Sequence, residues 1–311
     1  MLESKERHYQ SLEEYFDYIA DTLGYPKYYK DFKDDYVVSD GIRLHLDVLE
    51  YSKDAPTIVF VPGTAIYTMC YADFLYKLGG KGYNIIGVDP RGHGRSDGER
   101  GDYTVTEIMR DVQCAISYAV HRYGENISLL GSSQGGIVSL YLAGKDKRIK
   151  GVTCQCFADL TSPETSQLTR FPRLSRYMKP LMLQFGGIAP DTQIPVGIYL
   201  DLDSVTVKYF GNAKKFMNID PLALHSISFR ALQSLASTRL PKPLDEIDVP
   251  VMVFQGDEDS IFSVDYTQNI YDQLTCKKRF DVFPGLNHAI MTEDPEAILP
   301  NILEWLAEIH D

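Results

Sequence analysis

Residues 126–137, Asn-Ile-Ser-Leu-Leu-Gly-Ser-Ser-Gln-Gly-Gly-Ile, constrain what this chain can fold into more than any other stretch. Ile127 to Leu130 reads as a short buried strand, and Ile137, Val138, Leu140 and Leu142 open a helix. Between them lies Gly131-Ser132-Ser133-Gln134-Gly135, a G-x-S-x-G turn in the strand-to-helix context of a nucleophile elbow. A turn this sharp leaves almost no room for side chains two residues either side of the serine, and glycine tolerates the backbone angles nearby. It should thrust the Ser133 hydroxyl out of the sheet. It should also leave the Gln134 N–H at a helix N-terminus, able to donate to an oxyanion.

The flanking sequence builds a layered α/β fold around that turn. Ser11-Leu-Glu-Glu14 reads as a capping box, and Leu12, Tyr15, Phe16, Ile19 and Leu23 share one face of the helix it opens. That helix ends at Gly24 and Pro26 and is expected to pack on the main domain without chemistry. Residues 35–51 read as a β-hairpin around Ser39-Asp40-Gly41. Residues 57–61 and 83–88 are apolar runs of the kind buried on both faces of a sheet, with a helix near residues 67–78 between them. Thr104-Val-Thr-Glu107 is a second capping box, opening a helix to about Tyr123, and residues 150–157 are another strand. Residues 57–157 thus alternate β-α-β-α-β-α-β, the signature of a parallel sheet covered by helices.

That rhythm breaks over residues 158–243, where prolines, aromatics and short apolar patches point to a mostly helical insertion. It resumes with a strand at 249–254, a helix at 263–274, a strand at 278–283 and a last helix from Asp294-Pro295-Glu296. The expected organisation is an N-terminal helical extension (1–27), a core in two parts (28–157 and 244–311) and a cap over 158–243.

Composition narrows the function classes. Of 311 residues, 31 are Lys or Arg and 43 Asp or Glu, a formal net charge of −12 that argues against a general nucleic-acid binder. Cys70, Cys114, Cys154, Cys156 and Cys276 are dispersed and odd in number, as buried free thiols would be. Cys154 and Cys156, two apart in a strand-like run, are expected on one face. Residues 1–7 carry no apolar signal core and no stretch reaches a membrane span, so the expectation is a cytoplasmic protein.

Three strand ends offer Ser133, an acid within residues 257–259, and His288, in the order Ser…Asp…His. With Val61-Pro-Gly-Thr64, Asp89-Pro-Arg-Gly-His-Gly-Arg-Ser-Asp-Gly98, Asp220-Pro-Leu222, Gly256-Asp-Glu-Asp259 and Asn287-His288, the chain resembles the α/β-hydrolase superfamily. Within it, the chain is similar to serine hydrolases of the monoacylglycerol lipase and lysophospholipase type, from about residue 35 to the end. The resemblance implies an α/β-hydrolase fold, a mostly parallel central sheet flanked by helices with a largely helical cap. Ser133 is then the nucleophile and His288 its base. Asp259, in the family's G-x-x-D position, orients the imidazole, with Asp257 as the other candidate. The Thr64 N–H joins that of Gln134 in the oxyanion hole, with its hydroxyl a further aid. The family's usual His-Gly is here Pro62-Gly63. His93 falls at a position that usually organises the loop beneath the site, a structural role.

Other residues weigh less. His45 reads as structural, His225 as a surface or packing residue, and His8, His121 and His310 as surface residues. No His, Asp, Glu or Cys cluster has metal spacing, and no dinucleotide or phosphate-binding fingerprint appears, so neither metal nor cofactor is expected. In the insertion, Phe171, Tyr177, Leu181, Met182, Leu183, Phe185, Ile188, Ile198, Tyr199 and Leu200 offer apolar surface for an acyl pocket or for packing the insertion on the core. Arg170, Arg173, Arg176 and Lys179 give the segment a basic bias, as a solvated face or as a contact for a negative headgroup or product, and transient membrane contact is compatible with the chain. The expected partner is a small-molecule ester, medium or long and monoacyl, and not nucleic acid. The same triad could cleave an amide, a thioester or a carbon–carbon bond, or perform perhydrolysis. A hydrolase fold kept only for binding is the non-enzymatic alternative.

Overall fold

The computed structural model describes residues 9–185 and 187–310, the Phe185 side chain apart. His8 and the Phe185 side chain therefore lie outside the described residues.

In chain order, α1 (Leu12–Leu23) precedes the hairpin β1 (Lys33–Ser39) and β2 (Ile42–Leu49). Then come β3 (Thr57–Val61), a 3₁₀ turn (Thr68–Tyr71), α2 (Ala72–Gly79), β4 (Asn84–Val88), α3 (Val105–Tyr123), β5 (Ile127–Ser132), α4 (Gln134–Ala143) and β6 (Ile149–Gln155). Between β6 and the next sheet strand lie a 3₁₀ segment (Pro163–Leu168), α5 (Pro172–Phe185), β7 (Gln193–Pro195), α6 (Val196–Tyr199), α7 (Ala213–Ile219), β8 (Ser226–Ser228) and α8 (Phe229–Ser237). The chain closes with β9 (Val251–Gly256), α9 (Val264–Tyr271), β10 (Lys278–Phe283), α10 (Ile290–Glu293) and α11 (Pro295–His310).

Eight strands form one sheet in the order β1-β2-β4-β3-β5-β6-β9-β10. The β1–β2 and β2–β4 pairs are antiparallel, and every pair from β4 onward is parallel. β3, β4, β5 and β9 are buried along their whole length, as the continuous apolar runs predict. Helices α3 and α4 pack on one side. On the other, Phe74, Leu75 and Leu78 of α2 and Ile298, Ile302 and Trp305 of α11 form a second core with Tyr15 and Phe16 of α1. This is the α/β-hydrolase fold. Parallel strands place their carboxyl ends on one edge, where such sheets bind ligands.

The helix starts follow the sequence signals, with one difference. Thr104 and Glu107 close a full capping box on α3. Ser11 accepts from the Glu14 N–H on α1, but the Glu14 carboxylate takes the Gln10 N–H instead of returning to Ser11. β7 and β8 pair as a small antiparallel sheet inside a segment expected to be helical. His310 is not a free surface residue: its ring nitrogens lie 2.6 Å from Asn126 Oδ1 and 3.0 Å from Ser128 Oγ, tying α11 to β5. His121 and His225 are exposed, as expected. No helix among the described residues is long and apolar enough to cross a membrane.

Candidate active site

Ser133 sits between β5 and α4 with φ 52° and ψ −113°, a conformation L-residues rarely adopt. The strain falls on the serine itself. The neighbouring glycines serve close approach: a Cβ on Gly131 would stand 2.1 Å from Gly135 O, and one on Gly135 2.0 Å from Val61 O. The Gln134 N–H is among the first-turn donors that an α-helix leaves without an intrahelical acceptor.

Loops after β9 and β10 bring two more predicted residues to the serine. His288 Nε2 lies 3.1 Å from Ser133 Oγ, and His288 Nδ1–H donates to Asp259 Oδ2 at 2.7 Å. Asp259 Oδ1 accepts from the Ile261 and Phe262 N–H groups at 2.8 and 2.9 Å. Burial works to raise the Asp259 pKa, but His288 and those two N–H groups more than offset it, holding the carboxyl below its usual range. The Phe262 ring stacks on His288, with 5.7 Å between centroids and 5° between planes. Asp257 is exposed and accepts the Gly285 N–H instead, away from the imidazole.

Cys156 is a neighbour of this group that strand alternation did not reveal. β6 ends at Gln155, and Cys156 takes φ 60° beyond it, so the face expected for Cys154 and Cys156 does not extend that far. Its thiol, raised well above the usual range by burial and by Asp259, donates to Asp259 Oδ2 at 3.3 Å. Cys156, Asp259 and His288 thus bring three donor atoms within 4.8 Å of one another, a grouping their spacing in sequence hid.

The oxyanion-side loop is held by contacts no short motif encodes. The Thr64 hydroxyl donates to Gln134 Oε1 at 2.9 Å, and Tyr103 donates to the same oxygen at 3.2 Å. That hydroxyl therefore ties the two residues of the expected hole together. Gly63, beside Pro62, donates its N–H to the Tyr71 hydroxyl at 3.2 Å. Tyr71 donates to Ser132 Oγ at 3.0 Å, Ser132 donates to Gln155 Oε1, and Gln155 Nε2 donates to the His288 carbonyl at 2.8 Å. One chain of hydrogen bonds thus runs beneath Ser133 from the oxyanion loop to the histidine loop.

His93 is buried, with Nδ1 2.9 Å from the Arg91 carbonyl and its ring against Tyr103. Burial lowers its pKa to about 4, against the opposing hydrogen bond to Arg91. An unfolded His93 takes up a proton near pH 6.5, whereas the folded one stays neutral down to about pH 4. Its stabilising share is therefore full above about pH 6.5 and is lost as pH falls below it. Relative to His93→Gln, the wild type should lose about 2 kcal/mol of stability between about pH 7 and pH 5. Urea unfolding at the two pH values checks this. A pH-independent difference between the two proteins would show that folding does not exclude the His93 proton.

Ser133 and His288 lie on the floor of a cleft of about 990 Å³, counting the part open to solvent. Its walls are apolar: Ile66, Leu202, Val205, Phe210, Phe216 and Met217 are among them. The insertion does build one wall, but not with the residues expected. Of the ten named from sequence, Leu200 alone is among the described wall residues. Phe171, Tyr177, Leu181, Leu183, Ile188 and Ile198 are exposed, on α5, on α6 and in the loops beside α5. The helix α1, expected to carry no chemistry, supplies Ile19 and Leu23 to the cleft.

A family model described as serine aminopeptidase, S33, matches residues 52–295. The chain belongs to that S33 family. A monoacylglycerol lipase from Mycolicibacterium smegmatis is 25% identical over 276 residues, 86% of this chain and 93% of that protein. The crystal structure of a Paleococcus ferrophilus monoacylglycerol lipase superposes with a TM-score of 0.70 at 26% identity, covering 86% of this chain and 99% of that one. A hypothetical protein from Pseudomonas aeruginosa shares the fold over 99% of this chain and 100% of its own, with a TM-score of 0.73 at 16% identity. The chain is thus an S33 α/β-hydrolase resembling monoacylglycerol lipases.

Proposed function

We propose that this S33 hydrolase cleaves a monoacyl carboxylic ester through an acyl-serine intermediate. The observation that carries the reading is the Ser133–His288–Asp259 relay, 3.1 and 2.7 Å long, at the floor of an apolar cleft. Ser133 attacks the ester carbonyl while His288 Nε2 takes its proton. The tetrahedral oxyanion is received by the N–H groups of Thr64 and Gln134. The imidazolium, balanced by Asp259, returns the proton to the leaving alcohol. Water then repeats the cycle on the acyl-serine and frees the acid. The outward apolar face of α5, beside exposed Arg173 and Arg176, supports transient contact with the lipid surface that presents such a substrate.

The family description also raises amide hydrolysis. A serine aminopeptidase needs a carboxylate for the substrate's α-ammonium, and Glu293 is the acidic residue among the described ones around the cleft. Its carboxylate already accepts from the Lys208 N–H and the Asn287 amide, and burial raises its pKa. The apolar walls favour an acyl chain instead. The test is a panel of esters from acetate to long-chain monoacylglycerol and lysophospholipid, beside an aminoacyl amide. Esters should turn over, faster with a longer acyl chain until the cleft is full. Faster cleavage of the amide would overturn the reading.

In this scheme Tyr71 supports the loop at Pro62-Gly63 by accepting the Gly63 N–H. Tyr71→Phe leaves the buried Gly63 N–H without its acceptor and loosens the loop carrying Thr64. Losing an oxyanion donor outright costs 10²- to 10³-fold, so a loosened donor should cost about tenfold in kcat with little change in KM. Steady-state kinetics on a short ester separates the two constants. A change confined to KM would show that Tyr71 only lines the cleft.

A further inference from the structure

Helix α1 lies outside the 52–295 span of the family match, yet it closes one side of the cleft. Ile19 and Leu23, four residues apart, stand on the same helical face and both reach the cleft. The helix is anchored from below. Tyr15 donates to the buried Asp220 carboxylate at 2.8 Å, and Tyr67 donates to the same oxygen at 3.1 Å.

A second, much smaller hollow lies under α1, about 300 Å³ counting the part open to solvent, with closed room for only about one water. Ile19, Cys70 and Phe216 belong to the walls of both, so these three side chains partition it from the catalytic cleft. Its other walls are aromatic, from Tyr15, Phe16, Tyr25, Tyr29 and Tyr67 among others. Three of those hydroxyls are engaged elsewhere, Tyr15 and Tyr67 on Asp220 and Tyr29 on Asp17. What the hollow offers a ligand is therefore mostly ring surface, with the Tyr25 hydroxyl its remaining tyrosine oxygen. Such a lining suits the methyl end of an unbranched acyl chain better than a charged headgroup.

We propose that α1 gauges acyl-chain length: Leu23 and Ile19 bound the cleft, and the space that the Ile19 side chain fills, backed by the small hollow behind it, takes the end of a chain long enough to displace that side chain. The inference deepens the ester-hydrolase reading and rests on it. Shortening Ile19 merges the two spaces, whereas enlarging Leu23 blocks the approach.

The test measures kcat/KM for p-nitrophenyl acetate, butyrate, octanoate, laurate and palmitate in wild type, Ile19→Ala and Leu23→Trp. Ile19→Ala should move the optimum to a longer ester, by up to about fourfold for each further methylene buried. Leu23→Trp should move it to a shorter one, with the longest ester falling by roughly tenfold or more relative to acetate. Leu23 is partly exposed and tolerates the larger ring even if Ile19→Ala proves unstable. The same two changes in a Ser133→Ala background, read by binding of a fluorescent free fatty acid, report on the cavity without turnover. An unchanged length profile and unchanged fatty-acid affinity, in variants whose thermal unfolding matches wild type, would overturn the proposal. A wild type inert toward every ester, with fatty-acid affinity still following residues 19 and 23, would remove the hydrolase reading and leave the acyl cavity standing.

Discussion

Ser133→Ala should lower ester turnover by roughly a millionfold, a loss comparable to that of removing a whole triad, while the protein still folds. The size follows from what the hydroxyl does. Without Oγ there is no acyl-enzyme, and the His288 base has nothing to activate except water. Residual rate would come from substrate binding and from the Thr64 and Gln134 donors, which the substitution leaves in place. Folding should survive because the serine side chain caps no helix, and its N–H bond to the Gln155 carbonyl at 2.9 Å belongs to the backbone. The measurement is kcat/KM on a soluble ester beside covalent labelling with a fluorophosphonate probe, with thermal unfolding as the check on structure. Labelling that persists in Ser133→Ala would assign the nucleophile elsewhere.

Much of this site was legible because each part has a local signature. The elbow needs a strand, two small residues and a helix within a dozen positions, and residues 126–137 contain all of them. Asp259 follows the apolar run of β9, and His288 follows the shorter alternating strand at 278–283. What stayed hidden depends on contacts between distant segments. Tyr71 meets Gly63 because the 3₁₀ turn folds back under the oxyanion loop, and nothing in Pro62-Gly63 encodes that acceptor. Cys156 reaches Asp259 only because β6 and β9 are neighbours, although 103 residues separate the pair.

The insertion shows a different failure. Its apolar residues suit a pocket wall and core packing equally well in sequence, because apolar character does not say which way a face points. On α5 many of them face solvent, and the wall comes from Leu202 to Met217 instead. β7 and β8 have three residues each, too few for an alternating pattern to emerge. For α1 the periodicity correctly gave a buried face, and only the tertiary structure shows that part of this face covers the cleft.

Asp259→Asn should cost about 10⁴-fold in kcat with little loss of structure. The amide oxygen can still accept from the Ile261 and Phe262 N–H groups, so the turn after β9 keeps its hydrogen bonds. The amide nitrogen then faces His288 Nδ1 as a donor. That favours the tautomer with the proton on Nε2, the nitrogen 3.1 Å from Ser133 Oγ, and a protonated Nε2 cannot take the serine's proton. The variant also lacks the negative charge that steadies the imidazolium. In the wild type that charge persists into acid, because His288 and the two N–H groups hold the Asp259 pKa below the usual carboxylate range. Asp257→Asn is the matched control: it changes an exposed carboxylate whose partner is the Gly285 N–H, and should alter kcat by less than about twofold. The two variants therefore discriminate between neighbouring acids two residues apart. Near-normal turnover in Asp259→Asn, together with an inactive Asp257→Asn, would mean that the catalytic arrangement differs from the one in which Asp259 meets His288.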